Sequence, residues 1–233
     1  MEELTFESRL QAVEARIARA AERSGRNRSD VTLVAVSKKF SAERLREAYR
    51  AGVRQFGENY IQEFAEKRPL ILDLNARFHL IGHLQSNKVR QACDFFDVIE
   101  TVDSDRLLRR LDAAAAERGR TLEVLLEIKL SSEESKSGAR PEQLPHLLSV
   151  AASCAHVKLS GLMTMPPWSE DQEQSRPYFQ ELARLARKYE LAQLSMGMSN
   201  DFEAAIEEGA TIIRVGTALF GARPKPPVSG APQ

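Results

Sequence analysis

Apolar and polar residues follow one another along the chain in two periods, one typical of strands and one typical of amphipathic helices. The apolar run Val31–Lys38 is rich in β-branched residues and has polar residues on both sides, so it predicts a strand buried on both faces. Before it, apolar residues at helical spacing predict an amphipathic helix from about Glu2 to Arg23 that covers an apolar surface. Lys38 is therefore predicted to lie at the carboxyl end of a buried strand.

The same alternation continues through the chain and predicts seven further strands separated by helices. Their predicted bounds are Val53–Gly57, Arg77–Ile81, Phe95–Thr101, Leu122–Leu130, Val157–Met163, Gln193–Met198 and Thr211–Val215. Eight strands alternating with helices, without a change of composition that would mark a linker, favour a single-domain (β/α)8 barrel of the TIM type over a doubly wound sheet. The N-terminal helix is an extra element, which we expect to pack beside the last strand in place of an eighth long helix.

We assign residues 1–223 to the barrel and residues 224–233 to a disordered tail rich in proline. Lys and Arg total 33, as do Asp and Glu, so the formal net charge is zero. This balance argues against nucleic acid or an anionic membrane as the main partner. Cys93 and Cys154 lack the spacing of a zinc site, and we interpret both as core thiols. With no apolar leader and no run of membrane-spanning length, we expect a cytoplasmic protein.

Lys38 is the first residue with candidate chemistry. Ligands bind at the carboxyl ends of barrel strands, and a desolvated lysine there can lose its proton, so that its amine can attack an aldehyde. A solvated lysine at a strand end is the alternative. The loops after the seventh and eighth strands, Ser199–Asn200 and Gly216–Ala218, occupy the usual phosphate site of such barrels. A lysine beside a phosphate site is the minimum for holding pyridoxal 5′-phosphate (PLP) as a Schiff base.

Arg214 interrupts an otherwise apolar strand, and a buried guanidinium is costly unless it is paired. One alternative is a structural ion pair with an acid at a strand end, such as Glu58. The other is a hydrogen bond to the pyridine nitrogen of PLP, which would keep that nitrogen unprotonated and weaken the ring as an electron sink.

Several segments, in the expected order, closely resemble motifs of the pyridoxal phosphate homeostasis protein family. They are AVSK at 35–38, FGENY at 56–60, FHLIGHLQSNK at 78–88, SKSG at 135–138, GLM at 161–163, SMGMSNDF at 195–202 and RVGTALFG at 214–221. The resemblance runs from about residue 5 to residue 223 and implies a barrel like the N-terminal domain of alanine racemase. It also implies the following roles: Lys38 forms the Schiff base, Ser199, Gly216 and Thr217 hold the phosphate, Arg214 faces the pyridine nitrogen, and Asn59 and Met198 line the pocket.

Three further residues near predicted strand ends have open roles. Lys129 departs from the family, which usually has asparagine there, and this puts in doubt any polar contact made from that position. Lys136 is either a solvated loop lysine or a second amine for an aldehyde. His83 begins a loop at the face of the barrel that carries the predicted site, where it is either a ligand contact or a loop residue without a role in binding. The remaining histidines are interpreted structurally, with His79 as a satisfied core residue and His146 and His156 as solvated side chains.

These features predict a monomeric protein that binds PLP on Lys38 and buffers it or delivers it to PLP-dependent apoenzymes, without turnover of its own. One alternative is a PLP-dependent amino-acid racemase or decarboxylase of the alanine racemase type. By resemblance, those enzymes place a second, β-rich domain over the barrel mouth, and we expect none from this sequence. The other alternative is a lysine Schiff-base aldolase without a cofactor, against which Arg214 argues.

Overall fold

Eight parallel strands alternate with helices and close into a barrel in the computed structural model, which describes residues 5–133 and 137–222. Each strand pairs with its neighbours in chain order, and β8 pairs with β1 to complete the ring. The strands are β1 (Thr32–Val36), β2 (Gln55–Glu58), β3 (Arg77–Leu80), β4 (Val98–Val102), β5 (Leu122–Glu127), β6 (Val157–Met163), β7 (Gln193–Met198) and β8 (Ile212–Val215). The predicted (β/α)8 architecture is confirmed.

Amphipathic helices surround the barrel and bury their apolar faces against the strands. They are α1 (Phe6–Arg23), α2 (Ala42–Arg50), α3 (Ile61–Lys67), α4 (Val89–Phe95), α5 (Asp105–Ala116), α6 (Leu144–Ser153), α7 (Arg176–Lys188), α8 (Phe202–Glu207) and α9 (Thr217–Phe220). In the described part of the chain, no helix is both long and apolar enough to cross a membrane.

The N-terminal helix α1 is capped by Thr5, whose side chain accepts a hydrogen bond from the backbone N–H of Ser8. It packs against α8 and α9, and the rings of Phe6 and Phe220 lie 5.2 Å apart. Since α9 has only four residues, α1 covers the surface beside β8 that a longer helix would otherwise cover. The expectation for this helix is confirmed, although its predicted start at Glu2 lies outside the described residues.

Closure of the barrel places the turn after β1 beside the loop after β8. Val34 in β1 is paired with Arg214 in β8, so the turn after β1 and the loop after β8 are neighbours at the carboxyl mouth. The predicted first strand was too long, because β1 ends at Val36 and Lys38 lies in the turn that follows. The predicted proline-rich tail and Lys136 lie outside the described residues.

Candidate functional site

A cavity of about 300 Å³ opens at the carboxyl mouth of the barrel, where the β1, β7 and β8 loops meet. The walls also include Ile81 from the loop after β3 and Trp168 from the loop after β6. All seven residues singled out from the sequence line this one cavity: Lys38, Asn59, Met198, Ser199, Arg214, Gly216 and Thr217.

Lys38 is half-buried in the turn between β1 and α2. The residue before it is held firmly, because the backbone N–H of Ser37 donates to the Gly57 carbonyl over 2.9 Å and its hydroxyl donates to Glu58 over 2.7 Å. On the other side, the backbone N–H of Lys39 donates to the carboxylate of Glu63. Neighbouring hydrogen bonds therefore fix the turn that presents Lys38 to the cavity.

Behind this turn lies a buried ion pair that the sequence did not reveal. The ammonium of Lys67, at the end of α3, lies 2.8 Å from Glu58 Oε1, 2.7 Å from Glu63 Oε1 and 3.0 Å from the Ser37 carbonyl. Burial raises the pKa of the Glu58 carboxyl, and Lys67 and Ser37 oppose that rise. The suggested pair between Glu58 and Arg214 is wrong, since the buried counter-ion of Glu58 is Lys67.

Arg214 lies on β8 with only 3% of its surface exposed. One terminal nitrogen donates to Ser195 Oγ over 2.5 Å, and the other donates to the Thr164 carbonyl over 2.9 Å. Its nearest carboxylate is Glu100, whose Oε2 lies 3.9 Å away. Burial lowers the pKa of Arg214, and the Glu100 carboxylate opposes that change. Hydrogen bonds to Ser195 and Thr164 thus hold the guanidinium of Arg214, which lines the cavity.

The residues that hold Arg214 form a network through the barrel interior. Ser195 donates to Glu100 Oε2 over 2.5 Å, and Glu100 Oε1 lies 2.6 Å from Nδ1 of His79. The other ring nitrogen of His79 lies 2.8 Å from the side-chain oxygen of Gln55. Burial alone would raise the pKa of Glu100, but His79, Arg214 and Ser195 hold it below its usual value. His79 is therefore the satisfied core residue that the sequence indicated.

The predicted phosphate loops converge on Ser199. Its hydroxyl oxygen accepts the backbone N–H of Gly216 over 3.2 Å and that of Ala218 over 3.4 Å, so the loops after β7 and β8 are joined there. Thr217 lies between these two amides and lines the same cavity. The amides of Gly216 and Ala218 are thus occupied by Ser199 Oγ, and the hydroxyls of Ser199 and Thr217 are the donors that an anionic oxygen in the cavity could use.

Asn59 and Met198 lie on the walls of the cavity. The loop after β3 passes so close to Asn59 that a Cβ at Gly82 would lie 2.2 Å from the Asn59 carbonyl oxygen, which explains the glycine. Among the described residues, Oδ1 of Asn59 is buried and has no hydrogen-bond partner. The backbone N–H of Met198 donates to Asp201 over 2.7 Å, which orders the start of the loop after β7.

A second cavity, of about 580 Å³, adjoins the first on the β5 and β6 side. His83 and Lys129 line this second cavity and not the first one. Of the remaining singled-out residues, Cys93 is fully buried, as a core thiol should be, and Cys154 is half-buried. The prediction of two solvated histidines is right for His146, whose side chain is 66% exposed. It is only partly right for His156, which is half-buried.

Comparison with known proteins places the chain in a family. The family model described as alanine racemase, N-terminal domain, matches residues 8–224. The pyridoxal phosphate homeostasis protein of Aquifex aeolicus is 42% identical over 221 residues, which cover 92% of this chain and 97% of that protein. The homeostasis protein of Escherichia coli K12 is 41% identical and is covered over 95% of its length.

Solved structures agree with these sequence relatives. The structure of PipY from Synechococcus elongatus with PLP bound matches with a TM-score of 0.82 and 38% identity, covering 93% of this chain and 100% of PipY. An alanine racemase of Clostridium difficile, at 15% identity and a TM-score of 0.70, shares the fold over 57% of its own length. With a family match across nearly the whole chain and relatives above 40% identity, this chain belongs to the pyridoxal phosphate homeostasis protein family, whose barrel is that of the alanine racemase N-terminal domain.

Proposed function

We propose that this protein binds PLP through a Schiff base on Lys38 and serves in PLP homeostasis, buffering the cofactor or delivering it to apoenzymes without substrate turnover. The observation that carries the proposal is the shared cavity of about 300 Å³, in which Lys38, Arg214 and the loop cluster around Ser199 line one space. The family relatives named pyridoxal phosphate homeostasis protein, and PipY with PLP bound, support the choice of cofactor.

The residues of the cavity fit this cofactor chemically. Ser199 and Thr217 offer hydroxyl donors for a phosphate, and Gly216, whose amide donates to Ser199 Oγ, lines the cavity beside them. Arg214 offers a cation for the pyridine nitrogen. Oδ1 of Asn59 is buried without a hydrogen-bond partner in the described part of the structure. A ligand that donates a hydrogen bond to this oxygen would therefore gain binding free energy. When bound, PLP would supply an aldehyde for reversible bonding to the Lys38 amine, with loss of one water molecule.

The proposal predicts where borohydride reduction will fix the cofactor. In protein loaded with PLP, we expect visible absorbance and, after reduction, pyridoxyl mass on the peptide that contains Lys38. Lys38→Ala should remove both signals, whereas Lys158→Ala, at an exposed position on β6, should keep both. Peptide mass spectrometry and an absorption spectrum measure this. Label found only on another lysine of the unmutated protein would refute the assignment.

A second expectation concerns the phosphate. Thr217→Val removes a hydroxyl while keeping a β-branched side chain. If that hydroxyl donates to phosphate, the variant should bind PLP more weakly by about 1.5–3 kcal/mol, or roughly 10- to 150-fold. Pyridoxal, which lacks the phosphate, should bind the variant and the unmutated protein equally. Titrations followed by absorbance provide the comparison, and equal losses for both ligands would place the phosphate elsewhere.

The absence of turnover is also testable. Racemisation needs an acid–base group on each face of the substrate carbon, and each such group typically contributes ~10²–10⁴-fold. Among the described residues lining the cavity, the ionisable side chains are Lys38, Arg214 and Asp201, and the Asp201 carboxylate already accepts the Met198 amide. The Arg214 cation would also keep the pyridine nitrogen unprotonated.

We therefore expect PLP-loaded protein in deuterated water to react only slowly with L- and D-amino acids. Exchange of the α-proton, racemisation and decarboxylation should each proceed at well below ~1 s⁻¹, the lower end of common enzyme rates. Proton NMR and chiral chromatography would follow these reactions over a panel of amino acids. A rate of ~1 s⁻¹ or faster for any of them would favour the racemase or decarboxylase alternative over a carrier.

A further inference from the structure

The second cavity, of about 580 Å³, is not explained by the proposed cofactor site. It shares the side chains of Met165, Trp168 and Met198 with the first cavity, so the two are neighbours across one wall. The segment that leaves β5, from Glu127 to Ser131, forms another part of its wall.

Glu127 is an unusual residue for a cavity wall. It is the last residue of β5 and only 3% exposed, and in the described part of the chain its Oε2 is buried without a hydrogen-bond partner. Burial raises the pKa of its carboxyl to about 7; Asp103 adds to the rise and Arg214 opposes it. A buried acceptor in this state is stabilised by any ligand that brings a donor.

A second buried polar atom without a partner in the described chain lines the same cavity. Ser131 Oγ is buried, and among the described residues it too has no hydrogen-bond partner. The wall is ordered by two backbone bonds, from Lys129 N–H to the Ala139 carbonyl over 2.9 Å and from Ala139 N–H to the Glu127 carbonyl over 2.8 Å. Gly138 permits this close approach, because it has φ +122° and a Cβ there would lie 2.8 Å from the Lys129 nitrogen.

The chemistry of these atoms selects the class of ligand. An ionised carboxylate such as Glu127 accepts only, whereas the Ser131 hydroxyl can accept or donate. A positively charged group with several N–H donors satisfies both oxygens, and a primary ammonium carries three such donors. A metal ion fits less well, since no group of three His, Cys, Asp or Glu suited to hold one exists among the described residues. The other charged or titratable side chains on the cavity are Lys129, Glu133 and His83.

We propose that the second cavity is a binding subsite for a primary amine, whose ammonium group is held by Glu127 and Ser131 beside the cavity that contains Lys38. An amine that also carries a carboxylate gains a further contact from Lys129, the cation on the same wall. Binding in this subsite does not require PLP, so the inference stands independently of the proposed function. Since the cavities share a wall, occupancy of one is expected to alter affinity in the other.

The test is isothermal titration calorimetry of the full chain without PLP. The probes are n-butylamine, Nα-acetyl-lysine methylamide, L-alanine and, as an anion without an amine, propionate. Saturable binding is expected for the amines and not for propionate. Preference for the acetylated lysine or butylamine would assign the subsite to side-chain amines, and preference for L-alanine would assign it to free amino acids; either supports the proposal.

Variants separate this subsite from non-specific binding. Glu127→Gln should lower the affinity for every amine at least tenfold. Glu142→Gln, the same change at an exposed position, should leave these affinities unchanged. Lys129→Gln should weaken L-alanine and leave butylamine unchanged. Thermal melts verify that each variant is folded. Failure of all amines to bind the unmutated protein, or equal binding to folded Glu127→Gln, would overturn the proposal, whether or not PLP binds Lys38.

Discussion

Replacing Lys67 with methionine is expected to lower the free energy of unfolding by about 3–5 kcal/mol, the usual cost of removing one partner from a buried ion pair. Lys67 is 7% exposed, and its ammonium is the cation that faces the completely buried carboxylate of Glu58. Methionine fills similar space but leaves that carboxylate without a counter-ion. Denaturation with urea at pH 7, followed by circular dichroism, measures the loss.

Two companion variants identify the cause of this loss. Lys158→Met makes the same change at an exposed strand position and should stay within about 0.5 kcal/mol of the unmutated protein. Adding Glu58→Gln to Lys67→Met removes the unpaired charge and should recover part of the loss. If Lys67→Met costs less than about 1 kcal/mol, or if the double variant is less stable than the single one, the ion pair is not what stabilises this region.

The same variant should also affect the proposed cofactor site, because Lys67 contacts the backbone just before Lys38. Its ammonium donates to the Ser37 carbonyl, and its partner Glu63 accepts the N–H of Lys39. Lys39 adopts φ +66°, a conformation that side-chain-bearing residues rarely keep without support. The ion pair therefore contributes to the turn geometry on which presentation of Lys38 depends.

Hydrophobic periodicity was sufficient to predict the strand order and, for β6 and β7, the correct bounds. It was less accurate where one apolar run spans two elements. The predicted strand Phe95–Thr101 begins too early, because Phe95 ends α4 and the strand itself is Val98–Val102. The predicted strand Leu122–Leu130 was too long, since β5 ends at Glu127 and only a single bridge, at Ile128, continues it.

The candidate site could be predicted where its residues follow strands directly, since barrel topology alone brings strand ends to one mouth. Side-chain partners across the barrel could not be predicted, because each choice depends on distances set by the whole ring. Arg214 clearly needed an acceptor, but nothing local distinguished Glu58 from Glu100. Glu100 did carry a usable signal, as an acid within an apolar strand, of the same kind that drew attention to Arg214.

Glu127 provides a further prediction, in which stability depends on pH. Its pKa is about 7 in the folded protein against a usual value of 4.5, so between these pH values the folded state binds more protons than the unfolded state. By linkage, this group makes the protein less stable as pH rises through that window, and the penalty is complete above pH 7. A shift of this size corresponds to roughly 3 kcal/mol at most.

Glu127→Gln is expected to remove this penalty, because the amide stays neutral at every pH. Relative to the unmutated protein, the variant should therefore gain about 2 kcal/mol in unfolding free energy on going from pH 5 to pH 8. Urea denaturation at four pH values would measure the difference, with Glu142→Gln, at an exposed position, as the matched control. A difference between variant and unmutated protein that does not change with pH would mean that Glu127 ionises at its ordinary value. The carboxyl would then be a charged group already solvated in its cavity, and its burial would no longer explain why that wall favours a cation.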